Sequence, residues 1–330
     1  MGLRSGVAVL ASIPSPSSNQ LGPLHMYGLM IAIGVVAAVE LGRWRWRARG
    51  GNPDDVYAIA FWAVPAGLIG ARLYHVVTDW NRLYSGGRWH WDAFKIWEGG
   101  LGIPGGMAAG IAVGVWVAHR RGWRLSVGLD ALIPGLPLAQ AIGRLGNWWN
   151  QELFGGPTSL PWAIEIDPAH RPTDHIGSAT FHPTFLYEML WNLALFGLLV
   201  WVDRKRSVRP GNLLALYVGG YFLGRLWIEA MRIDTASEIL GLRVNIWLSI
   251  LGIGGAVVVL VARGLRRRPD DSDEPYLDGH RWEPPGAVDD PQAGGTDRWA
   301  ADGDLDPDDP DGARRSSAVS DGPGVDPLPS

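Results

Sequence analysis

Apolar residues in this chain fall into seven long runs, at about 25–41, 56–77, 101–118, 128–142, 183–202, 212–231 and 244–262, parted by short segments rich in arginine. Runs approaching 20 apolar residues have the length of a helix that crosses the hydrocarbon core of a bilayer. The pattern predicts an all-α fold: a polytopic membrane helix bundle of about seven transmembrane spans. The fourth run is short and contains Pro134 and Pro137, so a straight span is not expected there; broken helices persist in membranes where protein or a polar cavity covers the freed backbone groups. In the third run, Gly102, Gly106, Gly110 and Gly114 recur every four residues. They make a small-residue face that lets a neighbouring helix approach closely.

Charge separates the chain into unlike parts. Residues 1–268 carry a net +9, whereas from Pro269 onward 17 acidic residues and four arginines give −13, for −4 overall. The segment 1–24 precedes the first span, residues 25–265 form the membrane domain, and 266–330 reads as an acidic tail rich in Pro, Gly and Asp. Such a composition buries too little apolar surface to offset ordering entropy, so the tail is expected to be disordered, and its deletion at about Arg268 to leave chemistry intact. Arginine and lysine favour one side: 15 lie in the odd-numbered loops and the start of the tail, seven in the N-terminus and even loops. This bias places the N-terminus outside and the C-terminus in the cytoplasm. Trp44, Trp46, Trp80, Trp89, Trp91, Trp97, Trp148 and Trp149 fall near span ends, as an interfacial aromatic belt would.

The chain has no cysteine, which excludes disulfides, thiolate metal sites, a cysteine nucleophile and lipid anchoring through its own thiol. No metal or organic cofactor is implied. Two weak patterns are set aside. Asp302, Asp304, Asp306 and Asp308 lack the glycine and glutamate that a calcium loop requires, with Pro307 and Ala313 at those places. Gly100 to Gly105 spells a dinucleotide fingerprint but opens an apolar span rather than a strand–helix unit.

Chemistry concentrates where span four ends. Gly143-Arg144-Leu145-Gly146-Asn147-Trp148-Trp149-Asn150-Gln151-Glu152 sets an arginine, two asparagines and a glutamate at membrane depth, a costly placement that marks a functional site. The guanidinium fork of Arg144 suits phosphate or carboxylate; an ion pair with Glu152 would also satisfy it. Span six adds Tyr221, Arg225 and Glu229, four apart on one helix face. Tyr27 near the outer end of span one, His182 at the mouth of span five and Arg72 in span two are further polar candidates. Two arginines with hydroxyl and amide donors in the outer half of the bundle describe an anion site. Either an enzyme acting on an anionic lipid or a transporter or flippase of an anionic lipid or solute would need one.

The segment from Gly143 to Glu152, extended by Leu153-Phe154-Gly155, resembles the signature of bacterial prolipoprotein diacylglyceryl transferases: Gly-Arg-x-Gly-Asn, an aromatic, an apolar residue, Asn-x-Glu-x-x-Gly. Supporting matches are His25-Met26-Tyr27-Gly28-Leu29-Met30, Trp97-Glu98-Gly99-Gly100, His182-Pro183-Thr184 with Leu186-Tyr187-Glu188, and Gly224-Arg225 with Glu229. The resemblance covers about residues 20–265. It implies transfer of the sn-1,2-diacylglyceryl group from phosphatidylglycerol to the lipobox cysteine of a preprolipoprotein, at a bacterial cytoplasmic membrane. It also implies catalytic roles for Arg144, Arg225, Tyr27 and His182. Substrate-binding roles fall to Arg144, Asn147, Asn150, Glu152, Gly155, Tyr221 and Glu229, with Glu152 and Glu229 orienting the arginines. Trp148 stands where the family usually has Phe. Pro104 stands where many members carry a histidine, which leaves the thiol's proton acceptor to be found among Tyr27, His182 or the cationic field itself.

Overall fold

The structure, a computed structural model, describes residues 12–22, 24–80, 100–205, 207–234 and 237–283. Trp89, Trp91, Trp97, Glu98, Gly99 and the tail from 284 onward lie outside the described residues.

Each of the seven apolar runs is helical. The helices are α1 (Met26–Arg47), α2 (Pro53–Thr78), α3 (Ile103–Arg120), α4 (Leu125–Leu132), α5 (Gly135–Asn150), α6 (Thr184–Arg204), α7 (Asn212–Met231) and α8 (Val244–Arg263). The fourth run is the pair α4 and α5, bent at Ile133–Pro134 as its prolines require, with Leu136 N–H donating to Ile133 O at 3.0 Å across the bend. α1, α2, the α4–α5 pair, α6 and α8 are each long and apolar enough to cross a membrane. α3 and α7 have 18 and 20 residues. The surface of these helices is apolar: Phe61, Ile69, Leu251 and Val258 are all exposed, and buried charges lie inside. That inverted distribution suits lipid as solvent.

Small residues set the helix contacts. The glycine face of α3 meets α2: Gly106 lies against Ala71 and Gly67, and Gly110 and Gly114 against Ala63. Gly105 and Gly70 bring the two backbones closer still, for a Cβ on either would strike the other's carbonyl group. α1 packs on α5 in the same way. A Cβ on Gly34 would sit 2.9 Å from Ala139 O, and one on Gly135 3.1 Å from Ala38 O. These contacts fix α5, which carries the polar signature, against α1.

The two ends of the bundle are built differently. At the end where α1, α6 and α8 begin, residues 151–183 fold over the helix mouths. There β3 (Ile164–Glu165) pairs antiparallel with β4 (Thr180–Phe181), around buried Phe154, Ile164, Ile166, Phe181 and Phe185. Short hairpins β1–β2 (Gln20–Leu21, Leu24–His25) and β5–β6 (Glu238–Ile239, Leu242–Arg243) lead into α1 and α8.

At the other end, polar networks clamp the helices together. Arg45, 3% exposed, donates to the carbonyls of Ala131 and Asp130 and to the Asp203 carboxylate. Asp130 accepts from Gly211 N and Leu213 N and so caps α7. Trp46 stacks on Trp123 at 3.8 Å between centroids, and Tyr276 meets Trp46 edge-on at 5.6 Å. The Tyr276 hydroxyl donates to Asp55 Oδ2 at 2.7 Å and accepts from Asn52 N–H at 2.8 Å. Arg121 and Trp123 also donate to Asp55. Burial pushes the Tyr276 hydroxyl well above the ordinary tyrosine range, with the Asp55 carboxylate adding to the shift, so it stays a neutral donor. Composition assigned residues 266–283 to the acidic tail; here they run along this end as a strap anchored by Tyr276.

A chain ended after Glu283 is therefore expected to melt like the full-length protein in detergent, and one ended after Arg268 to melt lower. Tyr276→Phe is expected to cost about 1–3 kcal/mol through the orphaned Asn52 N–H, and Tyr276→Ala about 3–5 kcal/mol. Thermal unfolding followed by tryptophan fluorescence checks the order; equal melting of all four chains would show that the strap contributes nothing.

Candidate active site

Three helices converge at the capped end of the bundle, and each brings ionised groups to the same place. α5 contributes Arg144, α6 contributes Glu188 and α7 contributes Arg225 and Glu229. Glu188, buried, is shared: its Oε2 pairs with Arg144 Nε, and its Oε1 lies 3.1 Å from Arg225 Nη1. Arg225 reaches along its own helix to Glu229, Nη2 to Oε2 at 2.8 Å. Tyr221, Arg225 and Glu229 thus lie on one face, with Glu229 paired to Arg225.

Glu229 is fully buried and serves more than Arg225. Arg243, at the start of α8, pairs with its Oε1 at 3.0 Å, Arg232 approaches its Oε2 at 3.6 Å, and Asn245 Nδ2 donates to Oε1 at 3.2 Å. Arg232 in turn clamps Asp234 with two 2.7 Å hydrogen bonds. Burial would raise the Asp234 carboxyl, but the bonds from Arg232 and the nearby Arg243 hold it below the usual carboxylate range. Among the described residues the network contains four guanidiniums (Arg144, Arg225, Arg232, Arg243) and three carboxylates (Glu188, Glu229, Asp234). Its surplus positive charge, in surroundings of low dielectric, favours a bound anion.

The signature segment forms a second string of contacts. Arg144 Nη1 lies 3.4 Å from Asn147 Oδ1, and Asn147 Nδ2 and Asn150 Nδ2 both donate to Glu152 Oε1, at 2.9 and 3.1 Å. Among the described residues Glu152 therefore reaches Arg144 only through Asn147; the carboxylate on Arg144 is Glu188. The cross-helix partner was missed in the sequence because nothing in spacing along one helix points to it. Glu188 itself had a signal, an acidic residue in an apolar run. Arg232 and Arg243 read as loop charges and gave none.

The remaining sequence-predicted residues fall around this centre. The Tyr27 ring lies on Gly146, where a Cβ would sit 2.6 Å from its Cδ2, so α1 presents a tyrosine half a turn from Arg144. Gly155 is enclosed: its N–H donates to His182 O at 2.9 Å, and a Cβ there would lie 3.0 Å from Met231 O. Its place is the seam where the start of α6 and the end of α7 meet. His182 is outside the arginine network; its Nδ1 is 3.2 Å from the Tyr187 hydroxyl, which also accepts from Trp162 Nε1. Pro104 stands in the first turn of α3, a position that tolerates proline because its N–H would have no helical partner. Arg72 donates to Gly100 O at 3.0 Å beside His75. Among the described residues no cluster of His, Cys, Asp or Glu is arranged to hold a metal.

Next to Glu188 and Arg225 opens a small pocket between α6 and α7. Asn192 and Tyr221 line it with them, and Trp191, Gly224 and Ile228 form its sides. The site is thus a cationic rim leading into a small cavity with neutral polar groups.

Residues 16–262 match the family described as prolipoprotein diacylglyceryl transferase. A protein of Frankia alni named phosphatidylglycerol–prolipoprotein diacylglyceryl transferase is 55% identical over 271 residues, covering 80% of this chain and 70% of its own. Proteins of the same name from Streptomyces griseus and Cutibacterium acnes are 50% and 47% identical, covering 82% and 80% of this chain and 83% and 90% of their own.

Glu229→Ala is expected to destabilise the fold by about 3–5 kcal/mol, because it removes the buried carboxylate that Arg225, Arg232 and Arg243 share. A thermal melt of the purified variant beside the wild type measures it. An unchanged melting temperature would mean that solvent already screens these arginines.

Proposed function

The chain belongs to the prolipoprotein diacylglyceryl transferase family, and we propose that it moves the sn-1,2-diacylglyceryl group of phosphatidylglycerol to the lipobox cysteine of preprolipoproteins, forming a thioether and releasing glycerol 1-phosphate. The observation that carries this reading is the meeting of Arg144 and Arg225 on Glu188 at the pocket's rim. Two guanidiniums from different helices, held in place by a shared carboxylate, are a preorganised seat for a phosphodiester.

Displacement needs little else from the protein. The cysteine thiol loses its proton, sulfur attacks the terminal glyceryl carbon, the carbon–oxygen bond breaks, and the phosphate carries the charge away. Arg144 and Arg225 bind the phosphate and take up charge as it leaves, which fixed donors in a water-poor site do well. A free thiol titrates near 8.5, so the same cationic field also favours the thiolate. Glu188 and Glu229 fix the two arginines in place. Asn147, Asn150 and Glu152 shape the approach along α5. Where Pro104 offers no base, Tyr27, His182 and the cationic field itself are the candidates to take the thiol proton.

The charge bias of the loops supports an orientation that sets this site at the outer face of the bacterial cytoplasmic membrane. A lipobox cysteine follows a signal peptide there. The alternative, a transporter or flippase of an anionic lipid or solute, is not favoured: the relatives bear transferase names.

With phosphatidylglycerol and a lipobox peptide, purified protein is expected to add one diacylglyceryl mass to the peptide, with none added to a Cys→Ala peptide. Arg144→Ala is expected to lower the rate by about 10²–10³-fold, as loss of one charge-stabilising donor does elsewhere. Peptide mass spectrometry with glycerol phosphate release reads both, and full activity in a folded Arg144→Ala protein would refute the assignment.

A further inference from the structure

The pocket beside the arginine pair has a charged end and a neutral end. Glu188 and Asn192 lie one helical turn apart on α6, and Arg225 and Tyr221 one turn apart on α7, so the second member of each pair lies on the pocket wall beyond the first. Asn192 is 3% exposed, and its Oδ1 is buried with no hydrogen-bond donor. Its amide makes no hydrogen bond to any described residue. Buried side-chain amides are rarely left so, because the lost hydration is not returned. The Tyr221 hydroxyl is likewise uncommitted among the described residues; its ring packs on Tyr217 and Phe222. Trp191 is not: its Nε1 donates to Gly220 O at 2.9 Å, and its indole is seated on Gly224. Two polar groups, one of them an orphan acceptor, therefore face a cavity whose mouth is built for a phosphate.

We propose that Asn192 and Tyr221 read the hydroxyl groups of the headgroup attached to that phosphate, making them specificity-determining residues for a polyol-bearing phospholipid. The inference rests on the transferase reading above. A hydroxyl both donates and accepts, so it answers the unpartnered Oδ1 and the phenol together. An ester carbonyl or an alkyl chain offers Asn192 Oδ1 no proton. Trp191 and Ile228 give the polyol's carbon skeleton an apolar wall. The headgroup enters the pocket, the phosphate rests at Arg144 and Arg225, and the diacylglyceryl group stays on the lipid side where the thiol meets it.

The test compares phosphatidylglycerol with phosphatidylpropanol, which has the same chain length and no headgroup hydroxyl, as donors to one lipobox peptide. A site built to bond a hydroxyl can reject the analogue lacking it by up to about 10⁴–10⁵-fold. The wild type is expected to prefer phosphatidylglycerol by about 10²-fold or more in kcat/KM. Asn192→Leu is expected to shrink that preference at least about tenfold by slowing phosphatidylglycerol alone. Tyr221→Phe, which differs by one oxygen, asks the same question should Asn192→Leu not fold. Equal losses on both lipids would mark a structural role and overturn the proposal, as would a wild type indifferent to the hydroxyls. A wild type that transfers from neither lipid would overturn the transferase reading instead.

Discussion

Everything at the capped end of the bundle depends on keeping guanidiniums charged, desolvated and still. An arginine inside a membrane is costly unless its donors are met. This chain meets them with two carboxylates, each shared across helices: Glu188 joins α5 to α7, and Glu229 joins α7 to the start of α8 and the turn before it. Such pairs add little net stability over apolar packing, because desolvation offsets attraction. Their consequence is geometric. Arg144 and Arg225 cannot drift apart while Glu188 lies between them, so an arriving phosphate finds its seat already made.

Geometry of this kind needs helices that do not shift, and the chain secures them at both ends by different means. Between α1 and α5, and between α2 and α3, glycines bring backbones together where any side chain would push them apart. At the far end Arg45, Asp130 and Asp203 lock α1, α4, α6 and α7, while the strap carrying Tyr276 closes over Trp46 and Trp123. An apolar exterior costs nothing in lipid, so the polar networks mark where helices must meet in register.

How much of this was legible in the sequence follows from the range of each interaction. Span positions come from local hydropathy, and all seven runs became helix; the bend at Pro134 was visible for the same reason. The stripe Tyr221, Arg225 and Glu229 needs only the helical period. The partner of Arg144 does not: Glu152 is near in sequence, whereas Glu188 is 44 positions away and near only once α5 packs on α6. Residues 266–283 mislead in another way. Their composition is that of a solvated tail, yet Tyr276 reaches Asp55, more than 200 residues earlier, and that contact outweighs composition. Asn192 could not have been singled out at all, since an asparagine in an apolar run signals nothing until its lack of a partner is seen.

The arrangement also bears on why the site is arginine throughout. A lysine could neutralise Glu188, but its compact ammonium lacks the planar fork that fixes the direction of the donors left for a second anion. The planar fork of Arg225 faces Glu188 with one nitrogen and Glu229 with another, and its remaining N–H groups are directed by that double anchorage. Arg144 is held by Glu188 through Nε, with Nη1 turned toward Asn147. A phosphate entering here need not evict Glu188 wholesale; it shares the forks, and the surplus positive charge of the network makes the sharing favourable. As the ester bond breaks, the departing phosphate gains charge while the carboxylates do not. The arginines then bind product phosphate more strongly than the diester, and that difference is the stabilisation a displacement at carbon requires.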